Sequence, residues 1–197
     1  MNYIAHKVLI DGKEKIQTIK EHSINVAELV REFSKNYCDN DIAYNLGLLH
    51  DVGKYQNSFQ RRINGSNDSV KHAVCGAKVC QENLFGFDFN LFGQFVISCH
   101  HTGLCDLGDS TNTENDSTLK GKMKAKTEDF SYYQKELPLI NTKIRCPMKV
   151  SIKTKEEVWP DYAFWIRFMF SCLTDADFLD TEKFCKNINR KIDCDVI

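Results

Sequence analysis

The sequence lacks the long apolar run, the leader and the phosphate-binding loop that mark several common protein classes. No stretch of about 18 apolar residues occurs, so we expect no membrane-spanning helix. The opening residues, MNYIAHKVLIDGK, do not combine a basic start, an apolar run and a small-residue cleavage site, so we expect no signal peptide. No G-x-x-x-x-G-K-[ST] loop is present, so we expect no ATP-driven motor within these residues.

The cysteines lack the pairing that a structural role would require. The nine cysteines include no Cys-x-x-Cys pair, their number is odd, and several fall within segments of helical period. This pattern argues against a disulfide framework and against a structural zinc site. We therefore expect reduced cysteines in a cytoplasmic protein.

An excess of charge of either sign is also missing. The chain carries 26 lysines and arginines against 27 aspartates and glutamates, which gives a formal net charge of −1. Because binding to a phosphate backbone depends on clustered cations, we do not expect strong nonspecific binding to duplex DNA. A nucleic-acid substrate would be held locally, or by another domain.

What the sequence does contain is a succession of segments with helical period. A length of 197 residues fits one domain with a buried core. Asp41 is the expected N-cap of the second helix, and Pro160 suits the first turn of the last one, which is apolar on nearly every side and should be buried. Apolar residues at three- and four-residue steps predict helices over residues 15–37, 41–50, 70–84, 91–101 and 160–185.

A long polar segment interrupts this helical pattern. Residues 106–157 contain DLGDSTNTENDST and KGKMKAKTED, both rich in turn-forming residues. We expect a partly mobile insertion before the last major helix, with a short strand or hairpin at residues 149–153. The fold class predicted for residues 1–197 is a single all-α domain, a helical bundle with this one insertion.

Several imidazoles and carboxylates stand at positions that should face the core. His22 shares a stripe with Ile19 and Val26, and Asp177 continues the stripe of Phe170 on the last helix. A buried carboxylate is costly without a cation or a hydrogen-bond partner. The set proposed to face one cleft comprises His22, His50, Asp51, His72, His100, His101 and Asp177.

Each of these residues also has an ordinary structural interpretation. A lone histidine such as His22 or His72 on a helix face is usually a hydrogen-bonded core residue. The doublet His100–His101 could be a polar helix end, and Asp177 could be a cap or an ion-pair partner. The ordered set carries the metal-site hypothesis, because it offers too many ligands for one tetrahedral ion. It suits two octahedral ions that share a carboxylate.

The order of these residues resembles a known family. His22, then the His50–Asp51 pair, then a late aspartate, each on its own helix, resembles the HD phosphohydrolase superfamily. HDVGK at residues 50–54, KHA around His72, the His100–His101 doublet and LTDADFLDTE at residues 173–182 resemble the HD nuclease domain of the CRISPR-associated type I effector nuclease-helicase. The resemblance runs from about residue 19 to residue 182.

The resemblance implies a role for each residue. The first metal would be held by His22, His50, Asp51 and a late aspartate, for which Asp177 is preferred over its rival Asp175. Asp51 would bridge to a second metal, and Lys54 would contact the scissile phosphate or be merely a solvated lysine. The second metal's remaining ligands would be His72, His100 and His101.

The resemblance also implies the reaction and its setting. The expected activity is two-metal hydrolysis of single-stranded DNA in CRISPR interference, an antiviral defence, with Mn, Fe, Ni or Co as the ions and Mg as a further option. The expected partners are single-stranded DNA, a helicase domain or subunit and a crRNA-guided surveillance complex. The alternatives are a nucleotide or cyclic-nucleotide phosphohydrolase and, in another class, a non-catalytic regulatory HD module.

A few further residues have open assignments. Tyr132 and Tyr133 are candidates for stacking on bases, with packing as the equal alternative. His6 lies outside the proposed set, and its replacement is expected to do nothing. Arg61, Arg62, Lys120, Lys122, Lys124 and Lys126 could follow the backbone of a single strand, or could form a solvated face.

Overall fold

The chain opens with a β-hairpin that the helical pattern did not predict. The computed structural model describes residues 2–81, 87–140, 155–188 and 190. Strand β1 (Ile4–Ile10) pairs antiparallel with β2 (Lys13–Thr18). Asp11 and Gly12 form the turn, with φ of 51° and 75°, because a two-residue hairpin requires left-handed backbone there. The helix predicted to begin at residue 15 was therefore wrong at its start.

The first two helices are fixed by N-caps that differ from the expected ones. Helix α1 (Ile19–Ser34) begins after Thr18, whose hydroxyl accepts from the Glu21 amide while Glu21 returns a bond to the Thr18 amide. This reciprocal arrangement is a capping box. Helix α2 (Asn40–Leu49) is capped by Asp39, so the assignment of Asp41 as N-cap was wrong. Asp39 precedes the helix and reaches the free amides of its first turn.

A 3₁₀ turn (Val52–Tyr55) and helix α3 (Asn57–Ile63) follow, then α4 (Ala73–Gln81), α5 (Phe87–Cys99) and the long α8 (Lys155–Lys186). The mostly helical architecture confirms the predicted all-α class. Helix α8 begins before Pro160, so that proline lies within the helix rather than in its first turn. Helix α8 buries Met169 and Leu173 and exposes Phe164 by 60%. It is thus not buried on every side, as its composition had indicated.

The first part of the polar insertion has a definite structure. It contains two short helices, α6 (Leu119–Met123) and α7 (Tyr133–Glu136), and Leu119 and Leu137 are buried against the bundle. The predicted strand at residues 149–153 lies outside the described residues. None of the helices in the described part of the chain is long and apolar enough to cross a membrane.

Close approach of the backbone brings the candidate site together. A Cβ on Gly47 would overlap the backbone of Ala27, so α1 and α2 pack at short range. A Cβ on Gly53 would overlap the carbonyl oxygen of His72, so the 3₁₀ turn and the start of α4 meet directly. The glycine of the HDVGK motif thus allows His72 to lie next to Asp51.

Candidate metal centre

One cluster of candidate ligands, here called the buried group, consists of His22, His50, Asp51 and Asp177. His22 comes from α1, and His50 and Asp51 follow α2. Nε2 of His22 lies 3.2 Å from Oδ1 of Asp177 and 3.3 Å from Oδ2 of Asp51. Nε2 of His50 lies 3.2 Å from the same Asp51 oxygen. Ligand atoms from three helical segments therefore converge on one point.

A second cluster, here called the open group, consists of Asp51, His72, His100 and His101. Nε2 of His72 lies 3.6 Å from Oδ1 of Asp51, and Nε2 of His100 lies 3.8 Å from that oxygen. His72 and His101 approach each other to 2.9 Å through their Nε2 atoms. In each group the ligand atoms lie within 4.8 Å of one another. His101 is exposed, so the expectation that all five histidines face inward was wrong for this residue.

Hydrogen bonds fix which ring nitrogen three of the histidines present. Nδ1 of His50 lies 2.6 Å from the Gly47 carbonyl, and Nδ1 of His100 lies 2.6 Å from the Ile97 carbonyl. Because a carbonyl oxygen only accepts, both Nδ1 atoms carry the proton and leave Nε2 directed at Asp51. A histidine that binds a metal is held in this way by a bond from its other nitrogen.

Asp180 performs the same task for His22, and it was not among the ligands expected from the sequence. Nδ1 of His22 lies 2.7 Å from Oδ2 of Asp180. Gln17 donates to Oδ2 at 2.7 Å and Asn25 donates to Oδ1 at 2.8 Å, so this carboxylate is held from three sides. The i, i+3 spacing between Asp177 and Asp180 places both on one face of α8, which is the signal that could have found it.

Lys54 is nearly buried beside the shared carboxylate. It is 5% exposed, and its Nζ lies 2.6 Å from Oδ2 of Asp51. The ammonium also lies 3.4 Å from Nε2 of His6, where it donates because an ammonium has no acceptor. The ring of His6 stands 4.6 Å from that of His22, nearly perpendicular to it. The N-terminal hairpin therefore reaches the candidate centre, although His6 had been placed outside it.

The side chains present fit a divalent transition metal. Oδ2 of Asp51 is paired with Lys54, but Oδ1 of Asp51 and Nε2 of His100 have no hydrogen-bond partner among the described residues. Asp51 is fully buried, and an unsatisfied buried carboxylate oxygen is costly. A donor set of imidazole nitrogens and carboxylate oxygens suits Mn, Fe, Co, Ni or Zn. Metal ligation would satisfy these atoms together.

Charge balance in the buried group, without metal, is reached through protonation. Burial favours neutral imidazole, but bonds to Asp177, Asp180 and Asp51 outweigh it and raise the pKa of His22 to about 10. The pKa of His50 is likewise raised to about 9, against the effect of burial, chiefly by Asp51 and Asp177. Burial opposes ionisation of Asp51, yet Lys54 and these imidazoles hold its pKa well below the ordinary range.

The histidines of the open group behave in the opposite way. Burial lowers the pKa of His100 to about 3, and the nearby His50 adds to this effect. Burial also lowers the pKa of His72 to about 4, with Asp51 opposing and Lys54 reinforcing the shift. These imidazoles are neutral at physiological pH, which is the form that binds a metal.

Several residues considered for nucleic-acid contact are used elsewhere. Arg61 pairs with Asp68 at 2.9 Å. Lys122 donates to Thr102 Oγ1 at 2.6 Å and to the Ser98 carbonyl, and Lys124 donates to carbonyls within its own loop. These bonds weaken the case for a basic strip in the insertion.

The structure also distinguishes the roles of the two tyrosines and of the two late aspartates. Tyr133 is 4% exposed, and the ring of Tyr132 packs 4.8 Å from that of Tyr3, so both belong to the core instead of a stacking surface. Asp175 is exposed and belongs to neither group, whereas Asp177 contacts His22.

The part of the chain that matches a known protein family contains most of the candidate metal ligands. Residues 19–106 match the HD domain. All the proposed ligands except Asp177 fall within this range, whereas the hairpin with His6 and helix α8 lie outside it. No curated protein matches the chain. This similarity to the HD domain over residues 19–106, together with the two groups of candidate ligands, suggests a metal-dependent phosphohydrolase.

Proposed function

We propose that this protein is a metal-dependent nuclease that hydrolyses phosphodiester bonds of single-stranded DNA, with two divalent ions, in type I CRISPR interference. The observation that carries the two-ion part is the position of Asp51. Its Oδ2 faces His22 and His50, and its Oδ1 faces His72 and His100. One carboxylate is thus shared by two sets of ligands, as a bridging ligand requires.

The residues would divide the work as follows. The buried group would hold one ion and the open group the other, with Asp51 common to both. When bound, such ions polarise a phosphoryl oxygen and stabilise the charge that develops on it. Asp180 holds the His22 ring in the required tautomer, and the Gly47 carbonyl does so for His50. These outer contacts fix the ring orientations before substrate arrives.

Lys54 is the residue best placed to act on the substrate directly. Its ammonium stands at the shared carboxylate and keeps three donors on a flexible stem. We assign it to a non-bridging oxygen of the scissile phosphate, where a fixed cation in a largely dry site stabilises developing charge. Because Lys54 is 5% exposed, this interaction would be little screened by solvent.

The substrate class rests on the charge distribution and on the family resemblance. The net charge is −1, and Lys122 and Lys124 already donate to oxygens of the protein. These bonds reduce the cationic surface that the described part of the insertion offers to a long duplex. A flexible single strand needs only one phosphate at the metal centre. A helicase domain or subunit and a crRNA-guided complex are the partners proposed to deliver it, in the cytoplasm.

The test combines metal content with a choice of substrates. Purified protein would be analysed for Mn, Fe, Co, Ni, Mg and Zn. It would then be assayed with each ion on single-stranded DNA, blunt duplex DNA, free nucleotides and cyclic nucleotides. We expect two ions per chain, cleavage of the single strand and little cutting of duplex. Lys54→Ala should keep the metal content and slow turnover.

Three results would redirect the proposal. Efficient cutting of blunt duplex without a helicase would contradict the proposed substrate. Hydrolysis of free or cyclic nucleotides with no cleavage of DNA would identify a small-molecule phosphohydrolase. Tight metal binding without turnover on any of these substrates would identify a regulatory module.

A further inference from the structure

A cavity of about 430 Å³ opens beside the open group. His72 and His101 form part of its lining, together with residues at the start of α4 and the end of α5. The loop of residues 114–117, in the polar insertion, also lines it. Because two proposed metal ligands lie in its wall, any molecule in the cavity would sit directly next to the metal centre.

Lysine side chains tie the wall of this cavity to the bundle. Lys71 donates to the Glu114 carbonyl at 2.9 Å, which joins the start of α4 to the loop. Lys122 donates to the Ser98 carbonyl at 3.1 Å and to Thr102 Oγ1 at 2.6 Å, which joins α6 to the end of α5. These bonds connect segments far apart in sequence. The cavity is therefore formed before a ligand enters, which lowers the cost of binding.

The chemistry of the lining favours an uncharged occupant. Val70 and Val74 supply aliphatic surface, and Ser117 supplies a neutral hydrogen-bonding group. Oδ2 of Asp116 accepts from the amide of Thr113 at 2.6 Å and from its hydroxyl at 2.9 Å, so this oxygen is already hydrogen-bonded within the loop. Lys71 and Lys122 face Glu114 and Asp116 around the cavity, so neither sign of charge dominates.

We propose that this cavity is a subsite for one unpaired nucleoside of the strand, adjacent to the phosphate that is cleaved. The volume lies within the range of about 300–1,000 Å³ found for small-molecule sites. The lining combines aliphatic and neutral polar groups with two lysines and two acidic residues, and this balance of charge fits a base and a sugar better than a second phosphate. The proposal rests on the proposed nuclease function and extends it by naming what the substrate places beside the open group.

The subsite also gives a physical reason for a single-strand requirement. A base in duplex DNA can enter a walled cavity only after it leaves its stack and its partner, which costs free energy. The cost is least where the base is already unpaired. A nearly neutral protein would thus discriminate against duplex by the shape of the cavity, without a large cationic surface.

Filling the cavity from its exposed loop provides the test. Ser117 is exposed and lines the cavity, so Ser117→Trp should fill it without disturbing the core. Ser110 is exposed in the same insertion and does not line the cavity, so Ser110→Trp is the matched control. We expect Ser117→Trp to raise KM for a single-stranded oligonucleotide about tenfold or more, because the indole would occupy the space proposed for the base. The control should keep the parent KM.

Two further measurements separate the subsite from the chemistry. Methyl p-nitrophenyl phosphate carries a scissile diester without a nucleoside, so all three proteins should hydrolyse it at equal rates. A 2-aminopurine in the oligonucleotide should brighten as it unstacks on binding to the parent or to Ser110→Trp, in the presence of a chelator, and should stay dim with Ser117→Trp.

The outcomes distinguish the two proposals. An unchanged KM and an unchanged 2-aminopurine signal in Ser117→Trp would overturn the subsite and leave the nuclease intact. A parent protein that hydrolyses the methyl diester and no DNA would overturn the nuclease function, and the nucleoside subsite with it.

Discussion

The buried group and the open group share Asp51 and differ in their surroundings. His22 and His50 are fully buried, whereas His72 is partly accessible and His101 is exposed. The pKa of His22 and that of His50 are raised, whereas burial lowers that of His72. The difference teaches that one half of the centre is built around balanced charges inside the bundle. In the other half neutral imidazoles join Asp51, and His72 and His101 among them line a cavity.

The largest effect is expected from replacing Asp51, the residue that the buried group and the open group share. Asp51→Ala should abolish cleavage with every metal tested, because it takes a ligand from both groups at once. The helical signal in circular dichroism should remain, since the apolar core does not include this side chain. Retention of near-parental cleavage by Asp51→Ala would refute the shared-carboxylate mechanism, whatever its metal content.

A smaller effect should follow from loosening only the buried group. Asp180→Ala removes the acceptor that holds Nδ1 of His22, and such outer contacts are worth about 10–100-fold in metal affinity. Asp175→Ala is the control, because Asp175 is exposed on the same helix and belongs to neither group. Metal titration followed by calorimetry gives both affinities. Equal affinities for the two variants would show that Asp180 has no orienting role.

The opposite pKa shifts of the two groups predict how stability without metal depends on pH. The raised pKa values of His22 and His50 stabilise the fold fully below the ordinary value of 6.5, and this contribution is lost as pH rises toward about 9 and 10. The lowered pKa values of His72 and His100 have the opposite effect on stability. Below pH 6.5 these two histidines bind protons in the unfolded chain but remain neutral in the folded one. Stability therefore falls as pH drops from 6.5 toward about 4 and 3.

The melting temperature in chelator should therefore pass through a maximum near pH 6.5. Metal binding must displace the protons of the buried group, so metal affinity should increase with pH through the neutral range. Thermal melts between pH 4 and pH 10, with and without Mn²⁺, measure both trends. A melting temperature in chelator that rises steadily across this range would contradict the assigned protonation of the buried group.

The smallest expected effect concerns the hairpin. His6→Ala removes the acceptor for Lys54 Nζ, and loss of one such bond should lower kcat about two- to tenfold. Lys7→Ala is the control, since Lys7 pairs at the surface with Glu14. The sequence had indicated no role for His6, and equal kcat values in His6→Ala and Lys7→Ala would restore that interpretation. Metal content should be unchanged in both variants.

Most of the candidate ligands could be proposed from the sequence because their positions conflict with their surroundings. A histidine such as His22 on an apolar stripe, or a carboxylate such as Asp177 on another, requires a partner wherever the helices pack. The helices themselves followed from apolar periodicity. Their starts did not, because Asp39 lies beside Asn40 and Asp41, which are equally good caps, and because Ile16 of strand β2 extended the apolar stripe of α1.

Residues that act through distant partners could not be identified in this way. Asp180 contacts His22 across 158 residues of sequence, and His6 contacts Lys54 across 48. No local sequence pattern indicates such a contact. The Asp11–Gly12 turn, which brings His6 to the bundle, was not predicted because the residues after it have apolar spacing typical of a helix. The lysines of the insertion were equally uninformative, because a lysine that binds a carbonyl and one that binds a phosphate are identical in sequence.

The sequence by itself determined the helical class, the set of imidazoles and carboxylates that must avoid apolar surroundings, and the HD resemblance that orders them. Only the tertiary structure decided that Asp51 offers one oxygen to each group, that Asp177 rather than Asp175 joins the buried group, and that a cavity adjoins His72 and His101. The reason is physical. Local periodicity predicts which charged residues will be buried. The partner of each buried charge depends on how the helices pack, and these helices meet only in the folded chain.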